Sequence, residues 1–266
     1  MKSEVKITYE MHVNIVFLSL FVQSLFERNE MTSPVEMLYY QARVAEKLER
    51  PQDIIDTMNK LISHKPGLNS KEREIFFAGY KNSINSVRGA IHLFEVYLHD
   101  ESDEIDLTRR NHIQNYINKY VNQLNDLCLQ AISTIDEVLI LEAIENDACI
   151  SYQKMRADYL RYMAEFKTGE DRDICVKKSE VSYQAALQLA RRYLRPSDPL
   201  YLGLALNYAV CEFEMLNKRK EAIDFAEKVF NEAVKTLNEL DEANYNESTS
   251  IMQLIREDIT QWTSQG

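Results

Sequence analysis

The sequence predicts an all-α protein, on three observations. Its 266 residues contain only 6 glycines and 5 prolines, too few for the many turns of a β sandwich or barrel. Long stretches are built from Ala, Leu, Glu, Lys, Gln and Arg, which are strong helix formers. The breaks between those stretches are short and carry helix-capping chemistry rather than linker composition. With 45% apolar and 27% charged residues a packed core is expected, in one large domain.

Each helix can be placed by its start and stop signals. Thr32-Ser33-Pro34 followed by Glu36 reads as a capping box that opens a helix to about residue 49. Pro51 opens a second, to about residue 63, closed by the loop His64-Lys65-Pro66-Gly67. Asn69-Ser70-Lys71-Glu72 caps a long third helix to about residue 99, and Asp100-Glu101-Ser102-Asp103-Glu104 is an acidic loop. Six further helices are predicted over 107–135, 140–166, 171–194, 197–216, 218–238 and 242–263. The breaks are Gly169-Glu170-Asp171, Pro196-Ser197-Asp198-Pro199, Asn217 and Asp241-Glu242. Short turns make consecutive helices antiparallel neighbours, giving a nine-helix bundle. No segment repeats at a fixed period, which argues against a tetratricopeptide array.

Residues 1–30 differ from the rest and read as an extension to a domain over 31–266. Residues 11–26, MHVNIVFLSLFVQSLF, are strongly apolar but include Asn14, Ser19, Gln23 and Ser24. As a helix they would span ~24 Å, short of the ~30 Å hydrocarbon core. Glu4 and Glu10 offset Lys2 and Lys6, and bulky Leu25 and Phe26 stand where a signal peptide needs small residues. The leading expectation is an extra helix packed on the body or on a partner chain. A membrane-inserted or surface-lying helix, and sequence upstream of a natural start at Met31, stay open.

The net charge of −11 argues against nucleic-acid binding, which draws on clustered Lys and Arg. Cys128, Cys149, Cys175 and Cys211 show no CxxC spacing and fall inside apolar helical patterns, so buried free thiols are expected in a reducing compartment. No GxGxxG, P-loop, HExxH or GxSxG occurs, and the five histidines are scattered. His92 and His99 share a helix face, but two turns, ~10.5 Å, separate them, too far for one metal. No enzyme, cofactor or metal site is expected.

The informative feature is basic residues at heptad spacing within apolar helices. Lys81 and Arg88 share one face of the third helix, and Lys154 and Arg161 repeat the spacing with Tyr162 adjacent. On a later helix Asn207, Val210 and Glu214 share a face; on the last, Ile251, Leu254, Asp258 and Gln261 do. Spacing alone favours the plainer reading, surface charges paired with neighbours, such as Arg161 with Glu165 at i+4.

Longer words go further. REIFFAGYKNSINSVRGA, MRADYLRYMAEF, PLYLGLALNYAVCEFEMLN and YNESTSIMQLIREDITQWTS, after the opening MLYYQARVAEKLERPQDIIDTM, resemble successive segments of 14-3-3 proteins, in order, over about residues 32–264. The resemblance implies a cup-shaped, all-helical protomer and a dimeric, cytoplasmic signalling adaptor for phosphorylated client proteins. It implies that Lys81, Arg88, Arg161 and Tyr162 converge on one phosphate, a group of about −1.5 to −2 charges with three acceptor oxygens. Two guanidinium forks suit such a group better than two point-charge lysines. Asn207 matches the Asn that holds ligand main chain, Lys154 a basic groove position, and Leu206, Val210, Ile251 and Leu254 the apolar wall. Glu214 and Trp262 match groove-supporting positions.

Four departures accompany the match. Asp258 replaces a second clamping Asn, Gln261 a wall Leu, and His92 a groove Arg, and the acidic tail is reduced to Thr263-Ser264-Gln265-Gly266. Asp258 and Gln261 motivate an alternative, a scaffold of the same fold that binds unphosphorylated peptides. By the same resemblance Val44, Leu48 and Tyr116 are apolar dimer contacts, and Asp53 with Lys119 a cross-subunit ion pair, in a homodimer or a heterodimer with another 14-3-3 subunit. Arg50 would face Gln123, losing a second pair worth at most ~1 kcal/mol. Ala90 stands in place of an interface Ser, so a phosphorylation switch there cannot operate.

Overall fold

The computed structural model describes residues 33–100 and 106–264. The predicted N-terminal extension and most of the acidic loop lie outside the described residues. Among those described there are nine α-helices and no strand: α1 Pro34–Lys47, α2 Pro51–His64, α3 Ser70–Asp100, α4 Leu107–Thr134, α5 Asn146–Glu165, α6 Gly169–Tyr193, α7 Pro199–Val210, α8 Arg219–Thr236 and α9 Glu242–Ser264. Short π-helical turns, Ile135–Leu139 and Cys211–Met215, end α4 and α7.

The caps form as the sequence implies. Ser33 Oγ accepts from Glu36 N at 3.2 Å while Glu36 Oε2 accepts from Ser33 N at 3.3 Å. Asn69 and Glu72 build the same reciprocal box at 3.0 and 2.8 Å, and Lys65 holds that Glu72 at 2.7 Å. Asp198 caps α7 through Leu200 N at 2.8 Å, with Pro199 as first helical residue. Asn217 adopts φ 55°, the left-handed conformation that stops a helix.

Most boundaries shift by one or two residues once the π turns are counted with their helices, the predicted break Gly169-Glu170-Asp171 being the first turn of α6, and one differs most. The predicted helix over 140–166 begins only at Asn146. After the π turn has delivered Ile135 and Leu139 to the core, the chain reverses, leaving Leu141 74% and Ile144 97% exposed. The apolar run Ile140-Leu141-Glu142-Ala143-Ile144 contains no Gly or Pro to announce that reversal.

Two hydrophobic cores result. One gathers α1 to α4 with Tyr152, Met155, Tyr159 and Met163 of α5; the other gathers α7 to α9 with Ile150 and Ala157 of α5 and Tyr183, Ala186, Leu187 and Ala190 of α6. At Gly79 α2 comes so close to α3 that an added Cβ would stand 2.8 Å from Ile54 Cγ2. Buried Arg73 of α3 grips Asp147 at 2.7 Å at the start of α5, and Arg88 meets Glu165 at its end. The order of these contacts sets α3 and α5 parallel, and that fixes the basic pocket. The four cysteines are free; Cys128, Cys175 and Cys211 are buried and Cys149 half-buried.

Candidate functional site

Tyr162 of α5 organises the cations. The Arg88 guanidinium lies 4.1 Å from its ring centroid and that of Arg161 4.7 Å. Three of the four residues expected to meet a phosphate are thereby together, brought in from two helices. Lys81 is exposed on the Arg88 face of α3, two turns earlier, and has no carboxylate partner among the described residues. Burial pushes the Tyr162 hydroxyl above the ordinary phenol value, with Asp158 adding to the rise and Arg161 and Arg88 opposing it, so it stays a donor at neutral pH.

Arg161 and Glu165 do not pair as i,i+4 spacing allowed. Glu165 turns instead to α3, accepting from Arg88 Nε at 2.8 Å and lying 3.1 Å from His92 Nε2. Arg161 is buried and donates to the Tyr183 hydroxyl at 3.3 Å. Burial opposes its charge, but Tyr183 and Asp158 outweigh that and raise its pKa.

Sequence reasoning missed Asp158. This buried carboxylate accepts from Lys154 Nζ at 2.8 Å, from Asn207 Nδ2 at 2.8 Å and from the Tyr183 hydroxyl, with Arg161 Nη2 at 4.0 Å. Burial alone would raise its pKa; Lys154 and Arg161 reverse the effect and hold it below the usual aspartate value. A carboxylate with cations at i−4 and i+3 in KMRADYLR was a legible signal; Tyr183, a helix away, was not. Lys154 and Asn207 are thus oriented from below by one anion.

The opposite wall comes from α7 and α9. Leu206, Val210 and Ile251 are half-buried on the second core, and Leu254 is 50% exposed. A Cβ added at Gly203 would lie 3.9 Å from both the Lys154 stem and Ile251. A narrow hollow is lined by Leu206, Ala209, Ile255, Asp258 and Trp262. Trp262 is buried and stacks on Phe213 at 4.6 Å, beside exposed Glu214 on the π turn. Partial burial, then Glu214 and Glu257, raise the Asp258 carboxyl above its ordinary pKa. The α3–α5 residues are thus cationic and the α7–α9 residues mostly apolar, with the Glu214 and Asp258 carboxylates among the latter. Such a lining suits an extended peptide bearing a compact dianion.

The profile of the family described as "14-3-3 protein" matches residues 41–263. The chain belongs to the 14-3-3 family. It is 35% identical over 233 residues to "14-3-3-like protein B" of Vicia faba, an alignment covering 88% of this chain and 89% of that protein. It is 36% identical over 229 residues to "14-3-3 protein 8" of Solanum lycopersicum (86% and 88% covered). With "14-3-3-like protein 1" of Caenorhabditis elegans the identity is 35% over 234 residues, with 88% and 93% covered. The all-helical 14-3-3 fold read from the sequence therefore stands.

Elsewhere in this 14-3-3 chain, Val44, Leu48 and Asp53 line an open cleft of about 360 Å³ between α1 and α2. Leu48 is 45% exposed, and Arg50 ties back to Asp53 at 2.7 Å within its own chain. Tyr116 is half-exposed on α4, stacked on Phe94 at 5.9 Å, and Lys119 is exposed one turn further on. Among the described residues no helix is long and apolar enough to cross a membrane.

Proposed function

We propose that this 14-3-3 protein is a dimeric cytoplasmic adaptor, not an enzyme, whose groove holds phosphoserine or phosphothreonine segments of other proteins. The carrying observation is the convergence of Arg88 and Arg161 on the ring of Tyr162, with Lys81, which has no carboxylate partner among the described residues, on the Arg88 face of the same helix. Two guanidiniums, a phenol donor and an ammonium suit a phosphodianion in number and charge. Asn207 and Lys154, steadied by Asp158, would take ligand main chain and flanking polar groups, and Leu206, Val210, Ile251 and Leu254 the adjoining apolar side chains. Glu214, Asp258 and Trp262 would close the groove at its far end.

Dimerisation would use the Val44–Leu48 cleft against Tyr116 of a second subunit, with Asp53 reaching its Lys119. Two grooves could then engage two phosphosites of one client, multiplying affinity by ~10²–10⁴ where the geometry fits.

Fluorescence polarisation with matched phosphorylated and unphosphorylated peptides tests the reading. The phosphorylated form should bind and Arg88→Ala should cost about 2–4 kcal/mol. Equal binding of both forms would favour the alternative, a groove for unmodified peptides. Two observations give that alternative its substance: Arg88 already holds an internal carboxylate, Glu165, and Asn207 already donates to Asp158.

A further inference from the structure

One carboxylate is shared between two cations beside the basic pocket. Glu165 gives Oε2 to Arg88 at 2.8 Å and Oε1 to His92 Nε2 at 3.1 Å. The second ring nitrogen, Nδ1, stands 3.3 Å from Glu95 Oε2. The ring rests against Phe166 at 5.3 Å, and its side chain is 46% exposed, open to protons from solvent. The charged groups facing it are Arg88 and Glu95 of α3 and Glu165 of α5, and Arg88 shares the Tyr162 ring with Arg161. His99 follows seven residues later along α3.

A neutral imidazole has one donor and one acceptor nitrogen, so against two carboxylates it satisfies one and turns a lone pair toward the other. An imidazolium donates to both. Protonation therefore strengthens the grip of His92 on Glu165, and carboxylate charge taken up there is withdrawn from Arg88.

We propose that His92 makes ligand binding depend on pH: its protonation draws Glu165 off Arg88 and frees that guanidinium for an incoming phosphate. The inference rests on the phosphate reading above. Phosphopeptides then bind more tightly in acid than in alkali. Linkage requires the converse as well, so a bound phosphate that engages Arg88 leaves Glu165 to His92 and favours proton uptake there.

The test is phosphopeptide affinity by fluorescence polarisation between about pH 5.5 and 8 for the natural chain, His92→Gln and His92→Arg. Phosphoserine loses its second charge near pH ~6, but this affects all three proteins alike and cancels in a ratio of dissociation constants. The ratio of His92→Gln to the natural chain should grow about fivefold from the alkaline to the acid end. His92→Arg, charged throughout, should show a pH-independent ratio to His92→Gln. In a Glu165→Gln background the histidine-dependent change should vanish. A flat ratio in the natural background, with binding still abolished by Arg88→Ala, overturns the inference alone. A ratio that changes equally in the Glu165→Gln background overturns the route through Glu165. No binding at any pH, or binding indifferent to Arg88→Ala, overturns the phosphate reading and this inference with it.

Discussion

Asp158→Asn removes one charge and almost no volume, so its effect isolates the buried anion. The carboxylate accepts from Lys154 and Asn207, both at 2.8 Å, and from the Tyr183 hydroxyl. An amide has one acceptor oxygen; if that oxygen keeps Tyr183 and Asn207, its NH₂ must face the Lys154 ammonium, donor against donor. Lys154 can swing toward solvent, its side chain being 23% exposed, but Arg161 at 10% cannot and loses its nearest anion. A lost charge-assisted hydrogen bond plus part of a broken buried pair comes to about 2–4 kcal/mol. With a urea slope near 3 kcal/mol per molar, the unfolding midpoint at pH 7 should fall by roughly 1 M, read by circular dichroism at fixed protein concentration. The loss should itself depend on pH. Because the folded carboxyl lies below its unfolded value of about 3.9, its contribution is complete above that pH and drains away as pH falls through the folded value. The two proteins should therefore converge in strong acid. A midpoint change under ~0.3 M at pH 7, or a difference that persists unchanged in acid, would refute the ionised hub.

Four other experiments have expected outcomes. Asp258→Asn should tighten phosphopeptide binding about tenfold, more at low salt than at high, because an ionised Asp can only accept and repels the phosphate; calorimetric titration showing no gain would mean the groove has re-formed around the acid. Light scattering should give a dimer at micromolar concentration, twice 31.1 kDa for the full chain, and deletion of residues 1–30 should leave that dimer intact. Leu48→Glu, felt twice in a two-fold interface, should raise the dimer dissociation constant at least ~100-fold by sedimentation, and an unchanged dimer would exclude the α1–α2 cleft from the interface. Gly79→Ala should destabilise by about 1–3 kcal/mol despite its better helix propensity, since the Cβ would stand 2.8 Å from an Ile54 methyl; an unchanged melting temperature would show that α2 and α3 can part freely.

Helix existence was legible wherever a local cap announced it. Ser33 with Glu36 and Asn69 with Glu72 are bonded as their spacing implied, because capping is chemistry within four residues. The start of α5 was not, because the preceding reversal is imposed by packing of Ile135 and Leu139 and not by a turn residue. The site divides the same way. Heptad spacing placed Lys81 with Arg88 on one face, and resemblance named Arg161 and Tyr162. Neither indicated that Glu165 would cross to Arg88 or that Tyr183 would reach Asp158, since those contacts follow from how α3, α5 and α6 are set against one another.

The two cores give the groove a mechanical role. Lys81 and Arg88 stand on a helix of the first core, and Ile251, Leu254 and Asn207 on helices of the second. Between them run α5 and α6, which contribute side chains to both cores. A peptide lying along the groove as proposed would touch both bodies at once, a strap across a seam. At a hundred times its dissociation constant such a ligand adds about 2.7 kcal/mol to folding, all of it lost if either half opens alone. Client binding would thereby make two neighbouring bodies respond to heat, protease or force as one.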